Sequence, residues 1–333
     1  MTFTFFELAS GDPDPAFTTD QGVSPVSPGH RTLHAPDRHI IVLRGSSLAG
    51  RCSCWWTDTP RTLGERYGVI GHYAAADHAS GKALLDQACK VLASAGCTEA
   101  VGPMDGSTWR RYRLITERGE APPFFLEPDN PDEWPRHWTS ASFAPLATYT
   151  SAVNENLDTE DPRSDATRER LGSEGIALRP FDAGRADEEL RRIFHLSLFA
   201  FSRNFMYTPL AESEFMAENR AVLPLVRPEL VLLAEREGDL VGFMFALPDM
   251  LQARRGEALD TVILKTMAVH PDLAGRGLGA LLMDDVQRVA RDLGFRRAIH
   301  ALIHEQNRSA TLSARYAKPI RRYTLFSRPI AGS

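Results

Sequence analysis

Apolar residues along this chain fall into two spacings, short runs of strand length and longer stretches with apolar positions three and four apart. Residues 39–44, 51–56 and 68–73 read as strands. From 80 to 95, Leu84, Leu85, Ala88, Val91 and Leu92 share one helical face, and Gly96 ends the helix. Residues 98–102 and 147–152 predict two more strands. The second half opens on a strand at 176–181. A helix follows over 186–201, with Leu190, Ile193, Phe194, Leu196 and Leu198 apolar. Residues 229–236 and 240–246 flank Glu237-Gly238-Asp239, a hairpin signal. A strand over 258–269 leads through a glycine-rich turn into a helix that buries Leu278, Leu281, Leu282, Val286, Val289 and Leu293. Gly294 stops that helix, and a strand at 296–303, a helix and a last strand at 323–326 follow.

Two polar stretches punctuate the pattern. Residues 11–37 are rich in Pro, Asp, Ser and Thr without periodicity, and 154–175 are polar with few apolar positions. The expected organisation is an irregular segment over 1–37, a domain over 38–153, a linker over 154–173 and a domain over 174–333. The halves repeat each other. Ala83-Leu84-Leu85 near the start of one helix corresponds to Ala280-Leu281-Leu282 in the other, with Gly96 and Gly294 as terminators. Two copies of one α/β (α+β) fold are predicted.

With 333 residues, 43% apolar and 24% charged, the chain reads as a soluble globular protein. A net charge of −5 gives no basic field for nucleic acid. No apolar run reaches the roughly 18–20 residues of a membrane-crossing helix, and the first residues lack the pattern of a signal peptide. A cytoplasmic protein with no membrane or nucleic-acid partner is expected, as monomer or homodimer. Cys52, Cys54, Cys89 and Cys97 lack zinc-site spacing, so buried free thiols and no metal are expected.

The candidate chemistry centres on Met267-Ala-Val-His-Pro-Asp-Leu-Ala-Gly-Arg-Gly-Leu-Gly-Ala280. Gly275, Gly277 and Gly279 let backbone approach a ligand closely, and the following helix directs its unpaired N–H groups at the same place. Together they form an anion site, most often for phosphate. Gly275-x-Gly277-x-x-Ala280 also fits a dinucleotide fingerprint, but that motif needs glycines directly after the strand and an acidic residue ending the next one. Here five residues intervene, and the next strand ends at His304.

Residues 174–330 resemble the GNAT (Gcn5-related N-acetyltransferase) superfamily, whose hallmark is a strand ending in Val-x-Pro followed by Gln/Arg-x-x-Gly-x-Gly/Ala. Val269-His-Pro271 and Ala274-Gly-Arg-Gly-Leu-Gly279 supply it, with Ala274 where the family has Gln or Arg. The resemblance implies two GNAT-like domains, each a mixed, mostly antiparallel twisted sheet flanked by helices and splayed between its fourth and fifth strands. It implies that the amides of Gly275, Arg276, Gly277, Leu278, Gly279 and Ala280 hold the pyrophosphate of acetyl-CoA. Main-chain groups of Met267, Ala268 and Val269 would pair with pantetheine, and Asn307 falls in the downstream cofactor region. The family's tyrosine acid aligns with Ala314, leaving Tyr316 two residues on as the candidate. The first half is a fainter, degenerate copy: its loop 74–82 lacks Gly-x-Gly, and Asp77 puts a negative charge where phosphate would sit.

Transfer of an acyl group to an amine needs a proton acceptor for the amine and polarisation of the thioester carbonyl. At the end of the fifth strand His304 and Glu305 are the candidates, with Tyr316 as acid. Phe205 and Tyr207 lie in an aromatic connection over 201–209, and Trp109 in an arginine- and aromatic-rich run over 102–113. Each either lines a substrate cleft or packs the fold. The expected function is acyl-CoA-dependent N-acyl transfer from acetyl-CoA to an amine of a small molecule or peptide by direct attack on the thioester. The alternative is a non-catalytic acyl-CoA sensor or interaction scaffold.

Overall fold

The computed structural model describes residues 2–62, 65–159 and 161–330. Its first half runs β1 (Thr4–Leu8), α1 (Pro28–His34), β2 (Arg38–Arg44), β3 (Ser47–Trp55), β4 (Arg61–Thr62), β5 (Glu65–Ala75), α2 (His78–Ser94), β6 (Glu99–Gly102), β7 (Leu114–Glu117), α3 (Trp134–Ser140) and β8 (Ala144–Asn154). The second half adds α4 (Ser164–Ser173), β9 (Ile176–Pro180), α5 (Ala186–Phe201), α6 (Glu212–Val222), β10 (Val231–Arg236) and β11 (Asp239–Pro248). Then come α7 (Met250–Arg254), β12 (Thr261–Val269), α8 (Leu278–Asp292), β13 (Arg297–His304), α9 (Arg308–Ser313) and β14 (Lys318–Pro329). The hairpin between β10 and β11 turns at Glu237 and Gly238, both at positive φ (+55° and +90°), as a tight hairpin turn requires. No described helix is long and apolar enough to cross a membrane.

The strands form one sheet in the order β1-β2-β3-β5-β6-β14-β8-β13-β12-β11-β10-β9, with β4 and β7 pairing at its side. The order is a palindrome of two units about β14 and β8. In each unit the fourth and fifth strands are parallel and joined by a helix, α2 or α8, while its other pairs are antiparallel. The two α/β copies expected from the repeat are present. Each half ends in a strand that completes the sheet of the other. β8 pairs with β13, β14 pairs with β6, and β8 and β14 pair with each other from Lys318↔Val153 to Ser327↔Ala144.

This exchange corrects the expected organisation. β14 is far longer than the predicted 323–326, and it belongs to the sheet of the first half as much as to its own. The segment expected to be irregular over 1–37 contains β1, which pairs with β2, and α1, whose first turn is capped by Ser27. The expected linker over 154–173 contains α4, seated on α8 through fully buried Leu171 and the Arg168–Asp285 ion pair; Glu160 lies outside the described residues. Few apolar residues mark α4, and ion pairs rather than an apolar face hold its register.

Apolar cores form on both halves. Ile40, Ile70, Leu84, Leu85, Leu92 and Trp138 pack together in the first, and Leu232, Met244, Leu278, Leu281, Leu282 and Val286 in the second. All four cysteines are buried and unpaired.

The first half closes its own splay. β5 and β6 pair only from Tyr67↔Glu99 to Val69↔Val101. The chain leaving β6 then folds back into the opening. Met104 N donates to the Ile70 carbonyl at 2.8 Å, and His72 N donates to Asp105 Oδ1 at 2.5 Å. Gly71 is required there, because a Cβ would lie 2.1 Å from the Met104 carbonyl oxygen. At the start of α2 the Asp77 carboxylate accepts from Ser80 N at 2.9 Å and pairs with Arg44 at 2.5 Å. Burial opposes the charge, but these donors bring the carboxyl down to about 2. The helix's anion position is thus filled by its own cap. Asp77→Ala should lower the unfolding free energy by about 1 kcal/mol, the usual loss of a cap; urea denaturation measures it, and an unchanged midpoint would contradict the capping role.

Candidate active site

In the second half the corresponding splay stays open. β12 and β13 pair from Thr261↔Arg297 to Leu264↔His300 and then part. Beyond that point β12 is held by β11 as far as Gly242↔Val269, so the edge of 265–269 that faces β13 has no strand partner among the described residues. β13 swings to β8, with a break in register between His300 and Ile303. Leu302, in the break, has φ +57°.

The turn after β12 ends in Gly277, which caps α8 with φ +88° and offers no side chain to the helix. The N–H groups of the first turn of α8 are therefore left for an external acceptor. A Cβ at Gly277 would meet Thr167 Cγ2 at 3.0 Å, and Arg170 Nη2 donates to the Arg276 carbonyl at 2.5 Å. Helix α4, read from the sequence as linker, thus backs the turn. Arg276 itself pairs with Glu174 at 2.8 Å, so its charge is shared rather than free.

A cleft of about 1260 Å³ opens between the halves. Its walls include Met267, Val269 and Asn307 of the expected cofactor residues, and Trp109, Phe205 and Tyr207 of the expected substrate residues. Ala268 points the other way, into the core with Ile193 and Phe243. The glycine turn lies outside this wall. Trp109 packs edge-on to Phe201 and Phe215, with centroids 5.8 and 6.0 Å apart, and its Nε1 donates to the Thr208 carbonyl at 3.0 Å. Residues 108–113 of this run therefore form part of the cleft wall. It is fastened by Arg110, which holds Glu214 of α6 at 2.6 and 2.8 Å.

A second piece of the first half, the loop between β7 and α3, was not foreseen as part of the site. Its Phe124 is buried against Leu247, Ile263 and Ile299, and Phe125 N donates to Asp249 Oδ1 at 2.8 Å. The loop brings Leu126 and Glu127 to the cleft. Glu127 is buried with Arg321, their side chains 1% and 0% exposed, at 2.7 Å; Tyr323 also donates to the Glu127 carboxylate. No local pattern marks Glu127, since its partners lie almost two hundred residues away.

The expected catalytic residues separate. His304 lines the cleft, with its ring 4.9 Å from Tyr149 and 6.1 Å from Phe205. Burial, and then Arg113, lower its pKa. Its Nδ1 accepts from Gln306 N at 3.1 Å, so the neutral ring carries its proton on Nε2 and is a hydrogen-bond donor rather than a base. Glu305 turns away from the cleft; Thr148 and Thr150 donate to its carboxylate at 2.7 and 2.9 Å, and Arg322 pairs with it at 3.0 Å. It is not a base for this site. Tyr316 also lies outside the cleft wall. Burial, followed by the charges of Asp161 and Asp284, pushes its phenol up to about 12, which keeps it protonated and makes it a weaker acid. Glu218 of α6 was missed. It lines the cleft, has no cationic partner within ion-pair distance among the described residues, and its pKa is raised by burial and by Glu214.

Strand, glycine turn, uncapped helix and splay occur together, and residues 190–313 match the acetyltransferase (GNAT) family. Residues 190–313 form a GNAT-family domain. Over 224 residues it is 26% identical to a protein named bacterial ceramide synthase from Caulobacter vibrioides, covering 66% of this chain and 58% of that protein. This chain therefore matches little more than half the length of that curated relative. Among solved structures it is similar to a probable N-acyltransferase from Enterococcus faecalis V583, with TM-score 0.54, 10% identity, and coverage of 100% of this chain and 74% of that one. It is also similar to a structure with a GCN5-related glucosamine N-acetyltransferase region in a fungal multi-domain β-N-acetylglucosaminidase. There the TM-score is 0.54 and identity 12%, over 98% of this chain and 38% of that one. These structures share the GNAT fold across both halves, so the present chain has a tandem GNAT-like fold.

Proposed function

We propose that this chain is an acyl-CoA-dependent N-acyltransferase, with acetyl-CoA as the default donor, whose acceptor is an amine with an apolar body. One observation carries the reading: the two halves share a topology, yet only the second has both an open splay and an uncapped helix start. In the first, Met104 and Asp105 fill the gap and Asp77 fills the helix end. The chain then has one acyl-CoA site, in its second half.

When bound, the thioester supplies an electrophilic acyl carbon and a thiolate leaving group. In this reading the amides of Gly277, Leu278, Gly279 and Ala280 bind the diphosphate, and the edge from Thr266 to Val269 orients the pantetheine arm as an added strand. His304 donates from Nε2, and Glu218 takes the proton from the incoming ammonium. Phe201, Phe215, Phe243 and Phe245 exclude water and receive the apolar body. The cleft exceeds the roughly 300–1,000 Å³ of an ordinary small-ligand pocket, which leaves room beside pantetheine. Likeness to a protein named ceramide synthase points the same way.

Thermal unfolding with acetyl-CoA or palmitoyl-CoA, together with thiol release on adding ethanolamine or dodecylamine, tests this. Stabilisation by at least one donor and faster thiol release with dodecylamine are expected. Glu218→Gln should reduce kcat by about 100-fold or more while donor stabilisation persists. Stabilisation without thiol release from any amine would favour the sensor reading, and no stabilisation at all would sink both.

A further inference from the structure

We infer that Arg113 and Lys265 form an anion pocket in the cleft, which takes a carboxylate or phosphate carried by the acceptor beside its amine. The inference rests on the acyltransferase reading for the word acceptor, but the pocket itself is tested by binding. Arg31, Arg113 and Arg321 are the buried arginines among the described residues. Arg31 pairs with Asp14 at 2.5 Å and Arg321 with Glu127 at 2.7 Å. Arg113, 6% exposed, has no carboxylate within 4.0 Å among the described residues. Its hydrogen-bond acceptor is the Leu302 carbonyl, 3.4 Å from Nη1, and its buried Nε has no partner. A buried guanidinium with five donors and one long hydrogen bond lacks its counter-charge.

The protein nevertheless fixes this cation in place. The guanidinium carbon lies 3.9 Å from the centroid of Tyr112 and 4.2 Å from that of Tyr149, in the corner between two rings set at 87° to each other, which restrains the fork. The backbone of Arg113 is in the left-handed region at φ +65°, which is unfavourable for a bulky residue. Its N–H is tied to the Pro103 carbonyl at 2.8 Å. Such constraint on an unpaired charge is what a preformed site for a ligand anion requires.

Lys265 supplies the second charge. It is the first residue of β12 beyond the last pair with β13, and Arg113 and Lys265 both line the cleft. Lys265 Nζ donates to the Leu126 carbonyl at 3.1 Å and, among the described residues, has no carboxylate partner within 4.0 Å. Burial, and then the charge of Arg113, lower its pKa to about 8; Glu127 acts against them but is already held by Arg321 and Tyr323. His304, with a donor on Nε2, stands on the same wall. Two unpaired cations beside an aromatic cleft select an amphipathic amine with an anionic head. An apolar amino acid meets that description through its carboxylate, and an aminoalkyl phosphate through its phosphate.

Matched pairs separate the two sources: L-leucine against 3-methylbutylamine, and sphinganine 1-phosphate against sphinganine. Each amine is titrated against the CoA-loaded full chain by thermal shift, and thiol release from acetyl-CoA and palmitoyl-CoA is followed in parallel. In at least one pair the anionic member should bind at least about tenfold more tightly than its neutral partner. Arg113→Gln and, separately, Lys265→Met should each cut that ratio by about tenfold or more. Acetyl-CoA still raising Tm in a variant shows that its fold survives, and Lys265→Met serves if Arg113→Gln does not fold. Equal or better binding of the neutral members in both pairs, or a preference that survives the substitutions, overturns the pocket. Arg113-dependent binding without any thiol release would support the pocket while defeating the acyltransferase reading.

Discussion

Gly277→Glu is expected to abolish stabilisation by acetyl-CoA. Three effects act in the same direction. The residue has φ +88°, a conformation that L side chains adopt at a cost of roughly 1–2 kcal/mol. Its new Cβ would press on Thr167 Cγ2 at 3.0 Å, which α4 holds in place. The added carboxylate also sits at the positive end of α8, where the reading puts a diphosphate. At a donor concentration of 100 times Kd the wild-type chain gains about 2.7 kcal/mol, and the variant should gain almost none. Gly277→Ala imposes the strain without the charge, so it should lose less, which separates geometry from electrostatics. Thermal scans with and without acetyl-CoA measure both. A Gly277→Glu chain that binds acetyl-CoA as tightly as wild type would remove the glycine turn from the site.

The second large effect concerns folding. Arg321→Met should destabilise the chain by about 3–5 kcal/mol, because it leaves the Glu127 carboxylate buried without its cation. The pair is 2.7 Å apart and almost wholly excluded from water. The remaining guanidinium donors reach the carbonyls of Arg118, Ala121 and Pro122. Losing Arg321 therefore also frees the loop that carries Leu126 to Lys265. The double variant Arg321→Met with Glu127→Met should recover much of the loss, since removing both charges leaves no orphaned ion. Urea unfolding of the four proteins gives the coupling energy directly. If Arg321→Met alone costs under about 1 kcal/mol, the pair does not anchor this loop.

Both predictions depend on residues of different legibility. Gly277 could be read from its neighbours, because a strand, a glycine turn and an amphipathic helix leave local signatures in spacing and residue type. The same is true of Asp77, whose carboxylate at a helix start was visible as a charge where phosphate would lie. Trp109, Phe205 and Tyr207 drew notice only as aromatic-rich connections, equally compatible with packing. The cleft role of Glu127 and Lys265 has no local mark, and Arg113 is marked only as one residue of the arginine- and aromatic-rich run over 102–113. Arg113 matters because no carboxylate among the described residues lies within ion-pair distance of it, and absence of a partner exists only once the other side chains have been placed. Glu305 and Tyr316 have the chemistry and sequence position of site residues, but the structure places both outside the cleft wall, Glu305 held by Arg322 and two threonines and Tyr316 half-buried near Asp161 and Asp284.

The sequence by itself determined the repeated order of strands and helices, the terminating glycines, and the turn that opens α8. These follow from periodicity and backbone conformation, which act over a few residues. Only the tertiary structure decided that β8 and β14 cross between halves, that residues 103–105 fill one splay while the other stays open, and that the first half walls the cleft of the second. The reason is physical: a strand edge, a buried charge or a gap in a sheet is satisfied by whatever group reaches it through space, and across more than one hundred residues the local pattern does not encode which group that is.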